Sequence, residues 1–154
     1  MAPTKLSLEA RAIQLLSRRE YSRLELQRKL APHAESVEQL DALLDRLAER
    51  RWQSDSRFAE QWVNSKSAQY GSRYLKHTLQ ERGIRGEALD EALASVADSE
   101  LERARAAWRK KFSQAASTPA EQARQIRFLA SRGFPLGLIR QVLNGVDELL
   151  PDDE

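Results

Sequence analysis

Apolar residues recur at three- and four-residue intervals along almost the whole chain, and no alternating stretch reads as a strand. Val37, Leu40, Leu44 and Leu47 form one stripe, and Leu101, Ala104, Trp108 and Phe112 form another, each on a single helical face. The punctuation agrees with the periodicity. Ser22 with Glu25, Ser36 with Gln39, and Ser99 with Glu102 have the spacing of capping boxes. Thr118-Pro119 puts a proline at a first helical position, where its missing N–H costs nothing. Gly83 and Gly133 each follow an amphipathic run and suit the left-handed residue after a helix. The pattern predicts nine helices, over 7–19, 22–31, 36–51, 54–69, 72–82, 86–96, 99–114, 119–132 and 135–145.

The nine helices fall into three similar triplets. A shift of 49 residues lays Tyr21 on Tyr70, Leu26 on Leu75 and Leu30 on Leu79. A shift of 50 lays Leu79 on Leu129, Arg82 on Arg132, Gly83 on Gly133 and Leu93 on Leu143. A period near 50 residues marks tandem supersecondary units, each burying a small core and leaning on its neighbours. The expected fold is therefore all-α, with three tandem three-helix repeats forming an elongated, curved molecule. Its units are 1–53, 54–97 and 98–146, followed by an acidic tail over 147–154. Phe58 and Trp62, four residues apart, are expected in the core of the second unit.

Composition narrows the function. The 154 residues include no cysteine, which removes disulfides, thiolate metal sites and cysteine nucleophiles together. His33 and His77 are isolated, without a second ligand at helical spacing, so no metal site is expected. The six glycines read as caps or turns, with no phosphate-cradling loop and no dinucleotide fingerprint. No nucleophile–base arrangement can be assembled. The chain reads as a binding module without catalytic residues or cofactor. No apolar run approaches the roughly 20 residues of a membrane span, and Met1 to Leu8 lacks the pattern of a secretory signal. A cytoplasmic monomer is the expectation.

Charge then points to a partner. The net charge is +2, but Asp147 to Glu154 hold five acids and no base, so the rest carries 25 bases against 18 acids. From Arg103 to Gly145 nine bases face one acid, Glu121. Such a region draws polyanions and speeds their association. Lys66, Arg73 and Lys76 lie in an acid-free stretch interleaved with Trp62, Tyr70 and Tyr74, a pattern that suits phosphates and unpaired bases. Arg73, Lys76 and Gln80 share a face opposite Leu75 and Leu79. Arg103 and Lys110 are expected to point away from the Leu101–Phe112 stripe, and Arg124 and Arg127 away from Ile126 and Leu129. These seven bases are the candidate contacts. The acidic tail is expected to compete for them.

The same residues carry a resemblance. Ala12-x-x-Leu15-Leu16-x-x-Arg19-x-x-Ser22-x-x-Glu25-Leu26-x-x-Lys29-Leu30 is similar to the opening of the RecX family, bacterial modulators of the RecA recombinase. Ser54-Asp55-Ser56-Arg57-Phe58-Ala59 resembles that family's most recognisable motif. Arg127-Phe128-Leu129-x-x-Arg132-Gly133-Phe134 resembles its closing pattern. The likeness runs in order from about residue 10 to residue 146. Arg51 stands where the family usually has glycine, Tyr74 where it has a base, and Thr78 where an acid is common. The resemblance implies three three-helix repeats, binding to RecA and to RecA–single-stranded DNA filaments, and duplex DNA as a weaker ligand. It further implies a role in homologous recombination, DNA repair and the SOS response, through lowered filament growth, ATP hydrolysis and strand exchange. The alternative is a helix-turn-helix transcription regulator that reads duplex sequence.

Overall fold

The computed structural model describes residues 5–146; the tail expectation, Asp147 to Glu154, lies outside the described residues. Within them the chain is helical throughout: α1 (Leu8–Arg18), α2 (Arg23–Leu30), α3 (Val37–Glu49), α4 (Asp55–Lys66), α5 (Ser72–Glu81), α6 (Gly86–Ala97), α7 (Glu100–Lys111), α8 (Pro119–Ser131) and α9 (Leu136–Asn144). A single 3-10 turn, Ala31–His33, joins α2 to α3.

Two of the four start signals act as written. Ser22 Oγ accepts from the Glu25 N–H at 3.1 Å, while Glu25 Oε1 accepts from the Ser22 N–H at 3.0 Å. At α8, Thr118 Oγ1 accepts from the Glu121 N–H, and the Glu121 carboxylate accepts from the Ser117 N–H and hydroxyl. The backbone N–H of Ser117 is the main reason the Glu121 carboxyl lies below its ordinary pKa. Ser36 caps Gln39, but the Gln39 amide oxygen accepts from the Glu35 N–H rather than closing the box. Ser99 does not cap α7. Its backbone is already helical, and its hydroxyl donates to the Val96 carbonyl at 3.0 Å.

Each triplet closes its own core. The first gathers Leu26, Leu30, Leu43, Leu44 and Leu47; the second Phe58, Val63, Leu75, Leu79 and Ile84; the third Trp108, Leu129, Phe134, Ile139 and Val142. Val37 is not part of the first core: it is 69% exposed, and Leu43 takes its place on the stripe. As the first residue of α3, Val37 leans back past the helix end, because Cα–Cβ bonds tilt toward the N-terminus. Trp62 also departs from expectation. It is partly buried against the second core, with its indole N–H donating to Thr78 Oγ1 at 2.9 Å. Arg51, the departure from a usual glycine, adopts φ 59° just after α3, the left-handed region that glycine enters without strain.

The units meet at two narrow joints, and no hydrogen bond or ion pair links the first unit to the third among the described residues. At the first joint, Asp55, which opens α4, accepts from the Arg23 N–H at the start of α2 (2.8 Å) and from Gln53 Nε2 (2.9 Å). Gln53 Nε2 also donates to the Tyr21 carbonyl, and Arg57 Nε to Glu20 Oε1 at 3.0 Å. Ser54 caps α4, and Phe58 with Ala59 enters the core. The Ser54–Ala59 motif thus builds the joint.

At the second joint, Glu100, which opens α7, accepts from the Ser72 N–H at the start of α5 (2.6 Å). The Gly71 and Arg73 N–H groups donate to the Arg132 and Gly133 carbonyls at 2.8 and 2.9 Å. The end of α8 therefore sits on the start of α5, satisfying N–H groups that a helix N-terminus leaves open.

Candidate nucleic-acid interface

The seven candidate bases divide into four environments. Arg73 and Lys76 are exposed on α5, as are Arg124 and Arg127 on α8, and none has a carboxylate within ion-pair distance among the described residues. Their faces were legible because the buried positions between them, Leu75, Leu79 and Leu129, define the opposite side. Arg124 neighbours Glu121, whose carboxylate it helps to stabilise.

Lys66 is held differently. Its ammonium lies 4.4 Å from the centre of the Trp62 ring, and the Arg82 guanidinium lies 4.0 Å from the same ring. Arg82 also donates to the Thr78 carbonyl. Two cations on one indole hold its aromatic faces by attraction to the ring quadrupole. This explains why Trp62 stays at the surface of its core.

Arg103 is a correction to the outward-facing expectation. Its Nη1 donates to the Ser67 and Tyr70 carbonyls at 2.6 and 2.7 Å, its Nη2 to the Val96 carbonyl at 2.9 Å, and its Nε to Ser99 Oγ at 2.9 Å. Burial is the main reason its pKa falls below the usual guanidinium value, with Glu100 opposing. The helical spacing was right, but the direction opposite the stripe is where the second unit docks. Arg103 is an inter-unit clamp.

Lys110 is exposed at the rim of a groove between the second and third units. The groove brings in two bases that were not singled out, Lys111 and Arg132. The Arg132 guanidinium is 5.7 Å from the Tyr70 ring centre and 5.4 Å from that of Phe128, and Lys111 Nζ is 5.9 Å from Phe128. Tyr70 in turn stacks on Tyr74 with centroids 3.8 Å apart. Burial, followed by the neighbouring Tyr70, raises the pKa of the Tyr74 phenol. The signal for Arg132 was the shift of 50 residues that pairs it with Arg82, since both finish the middle helix of a unit and lie over an aromatic ring.

The described residues contain no cluster of three or more His, Asp or Glu side chains able to hold a metal ion, and no helix long and apolar enough to cross a membrane. What the second and third units offer is a series of exposed bases, interrupted by aromatic rings, on a helical frame.

Two family models match the chain: the second three-helix domain of RecX over residues 54–93 and the third over residues 98–143. The chain is 52% identical over 145 residues to the regulatory protein RecX of Chromobacterium violaceum, covering 94% of each. It is 44% identical over 149 residues to that of Ralstonia nicotianae, covering 97% of this chain and 94% of the relative. With that of Neisseria gonorrhoeae it shares 48% over 143 residues, covering 93% and 92%. Among solved structures, RecX from Lactobacillus salivarius superposes with a TM-score of 0.80 at 20% identity, over 92% of this chain and 95% of that one. A second crystal structure of a regulatory protein RecX gives 0.76 at 18%, over 94% and 82%. At such identities these two speak for the shared repeat fold alone.

Proposed function

The chain belongs to the RecX family, and on that premise we propose that it is a non-enzymatic regulator of homologous recombination and DNA repair. It binds RecA and RecA–single-stranded DNA filaments in the cytoplasm, as a monomer, and lowers filament growth, ATP hydrolysis and strand exchange. The observation that carries this reading is the placement of exposed bases on successive units: Arg73 and Lys76 on α5, Lys110 on α7, and Arg124 and Arg127 on α8. A filament is a repetitive, phosphate-bearing target. Contacts that are weak singly, spaced along a chain of units, then gain affinity together. No hydrolytic residue is needed, because the ATP belongs to the filament. Lys66 supports this surface from its place over Trp62, whereas Arg103 serves the joint and is left out of the binding set.

The test is RecA-catalysed, DNA-dependent ATP hydrolysis with and without the protein. The variant Arg73→Glu/Lys76→Glu/Arg124→Glu/Arg127→Glu is expected to lose inhibition while its melting temperature stays within a few degrees of wild type. The control Arg18→Glu/Arg28→Glu/Arg46→Glu reverses three exposed bases of the first unit and is expected to inhibit nearly as wild type does. The opposite pattern would place the binding face on the first unit. Retention of the protein by specific duplex sequences, and not by RecA filaments, would replace the reading with a transcription regulator.

A further inference from the structure

The two joints carry hollows related by the repeat, and they differ in charge. The first is lined by Arg19, Glu20, Glu25, Trp62 and Arg82 with their neighbours. Arg19 pairs with Glu25 at 3.2 Å, Glu20 with Arg57 at 3.0 Å, and Arg82 is spent on Trp62 and the Thr78 carbonyl. This hollow neutralises itself.

The second hollow, about 360 Å³, is lined by Gln69 from the α4–α5 turn, Lys110 and Lys111 from α7, and Phe128 and Arg132 from α8, with two alanines. No acid lines it, and neither lysine has a carboxylate partner among the described residues. The repeat register puts Ala68 where the first hollow has Arg19, at a shift of 49, and Lys111 where it has Gln61, at a shift of 50. Both changes move in one direction: a self-satisfied ion pair is lost, and an unpaired cation is gained beside an aromatic ring.

Cations beside an aromatic ring, with acids excluded, are the chemistry that grips a phosphodiester and packs against its base. The volume lies near the lower end of the roughly 300–1,000 Å³ of small-ligand pockets, which suits one nucleotide. We propose that the groove between the second and third units is a nucleotide-sized subsite for single-stranded nucleic acid. Lys110 and Lys111 take the phosphate, and the base lies against the Phe128 ring and the Arg132 guanidinium. The assignment rests on the single-strand reading above and makes the strand site asymmetric, confined to the second of two related joints.

Fluorescence anisotropy of the full chain with a labelled thymidine oligonucleotide, and with an otherwise identical abasic strand, tests this across a salt series. Lys110→Gln/Lys111→Gln is expected to flatten the log–log salt slope by about 0.7 on both strands, the value for the one phosphate that the pair holds. Phe128→Leu keeps apolar volume in the third core and removes the ring. It is expected to weaken the oligonucleotide about tenfold and to leave the abasic strand unchanged, with an unaltered helical melt. If Phe128→Leu changes neither strand, the groove holds phosphate alone and the nucleotide subsite is overturned. If the double variant keeps the wild-type slope while Arg73→Gln/Lys76→Gln flattens it, the strand runs elsewhere; the subsite falls and the single-strand reading stands. Absence of salt-dependent binding by the wild-type chain would sink both.

Discussion

At the first joint Asp55, the opening residue of α4, caps the start of α2; at the second Glu100, the opening residue of α7, caps the start of α5. The tyrosine carbonyl preceding the capped helix is also taken up in both, by Gln53 at Tyr21 and by Arg103 at Tyr70. A glycine after the middle helix lets the chains approach in both, Gly83 against Leu24 and Gly133 against Tyr74. The repeat geometry is therefore kept, while the groups that satisfy it change. A neutral amide with surface ion pairs holds the first joint, and a guanidinium surrounded by carbonyls holds the second. Because backbone carbonyls, not acids, satisfy Arg103, the second joint needs few carboxylates and leaves neighbouring lysines unpaired. One fold thus yields a self-neutralised joint and a basic one.

The glycines give the largest expected contrast. A Cβ on Gly133 would stand 2.5 Å from the Tyr74 backbone nitrogen, and its φ of 89° strains any L-residue. Backbone cannot step aside, so Gly133→Ala should cost about 3 kcal/mol or more from overpacking and left-handed strain together. At Gly83 the obstacle is the Leu24 side chain, whose Cβ is 2.8 Å away. Gly83→Ala should therefore cost less, about 1–2 kcal/mol, with left-handed strain as the main part. Urea unfolding followed by circular dichroism measures both, and equal costs would mean that the two joints are packed alike.

The clamps come next. Arg103→Met removes the donors from the Ser67, Tyr70 and Val96 carbonyls, and should destabilise by about 2–3 kcal/mol through lost charge-assisted hydrogen bonds. Gln53→Leu leaves the Tyr21 carbonyl and one Asp55 contact unmet and should cost about 1 kcal/mol. If Gln53→Leu proves the more damaging in the same urea titration, the first joint is the stronger one and the comparison inverts.

The smallest effect is a pH dependence confined to the third unit. Glu121 accepts at the α8 start, and its pKa is depressed in the folded chain. A depressed carboxylate contributes stability above its unfolded pKa and loses it as pH falls through the lower folded value. Glu121→Gln should therefore lower the melting temperature slightly near neutrality, lose less of it on acidification, and converge on wild type in acid. Melting curves of both proteins between neutral and acid pH check this; parallel losses would remove Glu121 from the account.

Much of this molecule was readable from residue order. Apolar spacing, Ser22 and Thr118 caps and the glycines at 83 and 133 are local devices, acting within one or two helical turns, so they reveal helices wherever they occur. The repeat register was also legible, because three small cores demand the same residue sizes at the same spacing. The resemblance carried by Ser54–Ala59 was visible as a motif, but its purpose was not. Only folding brings Asp55 to the Arg23 N–H and Arg57 to Glu20, over thirty positions away. Arg103 shows the limit most plainly. Helical phase says which side of α7 it occupies, and for an isolated helix that side would be solvent. Whether solvent or a neighbouring unit lies there depends on docking, which brings the Ser67 and Tyr70 carbonyls to its guanidinium. The same docking gathers Lys110, Lys111, Phe128 and Arg132 around one groove. Local sequence fixes a side chain's direction from its own helix axis; the tertiary structure decides what it meets there.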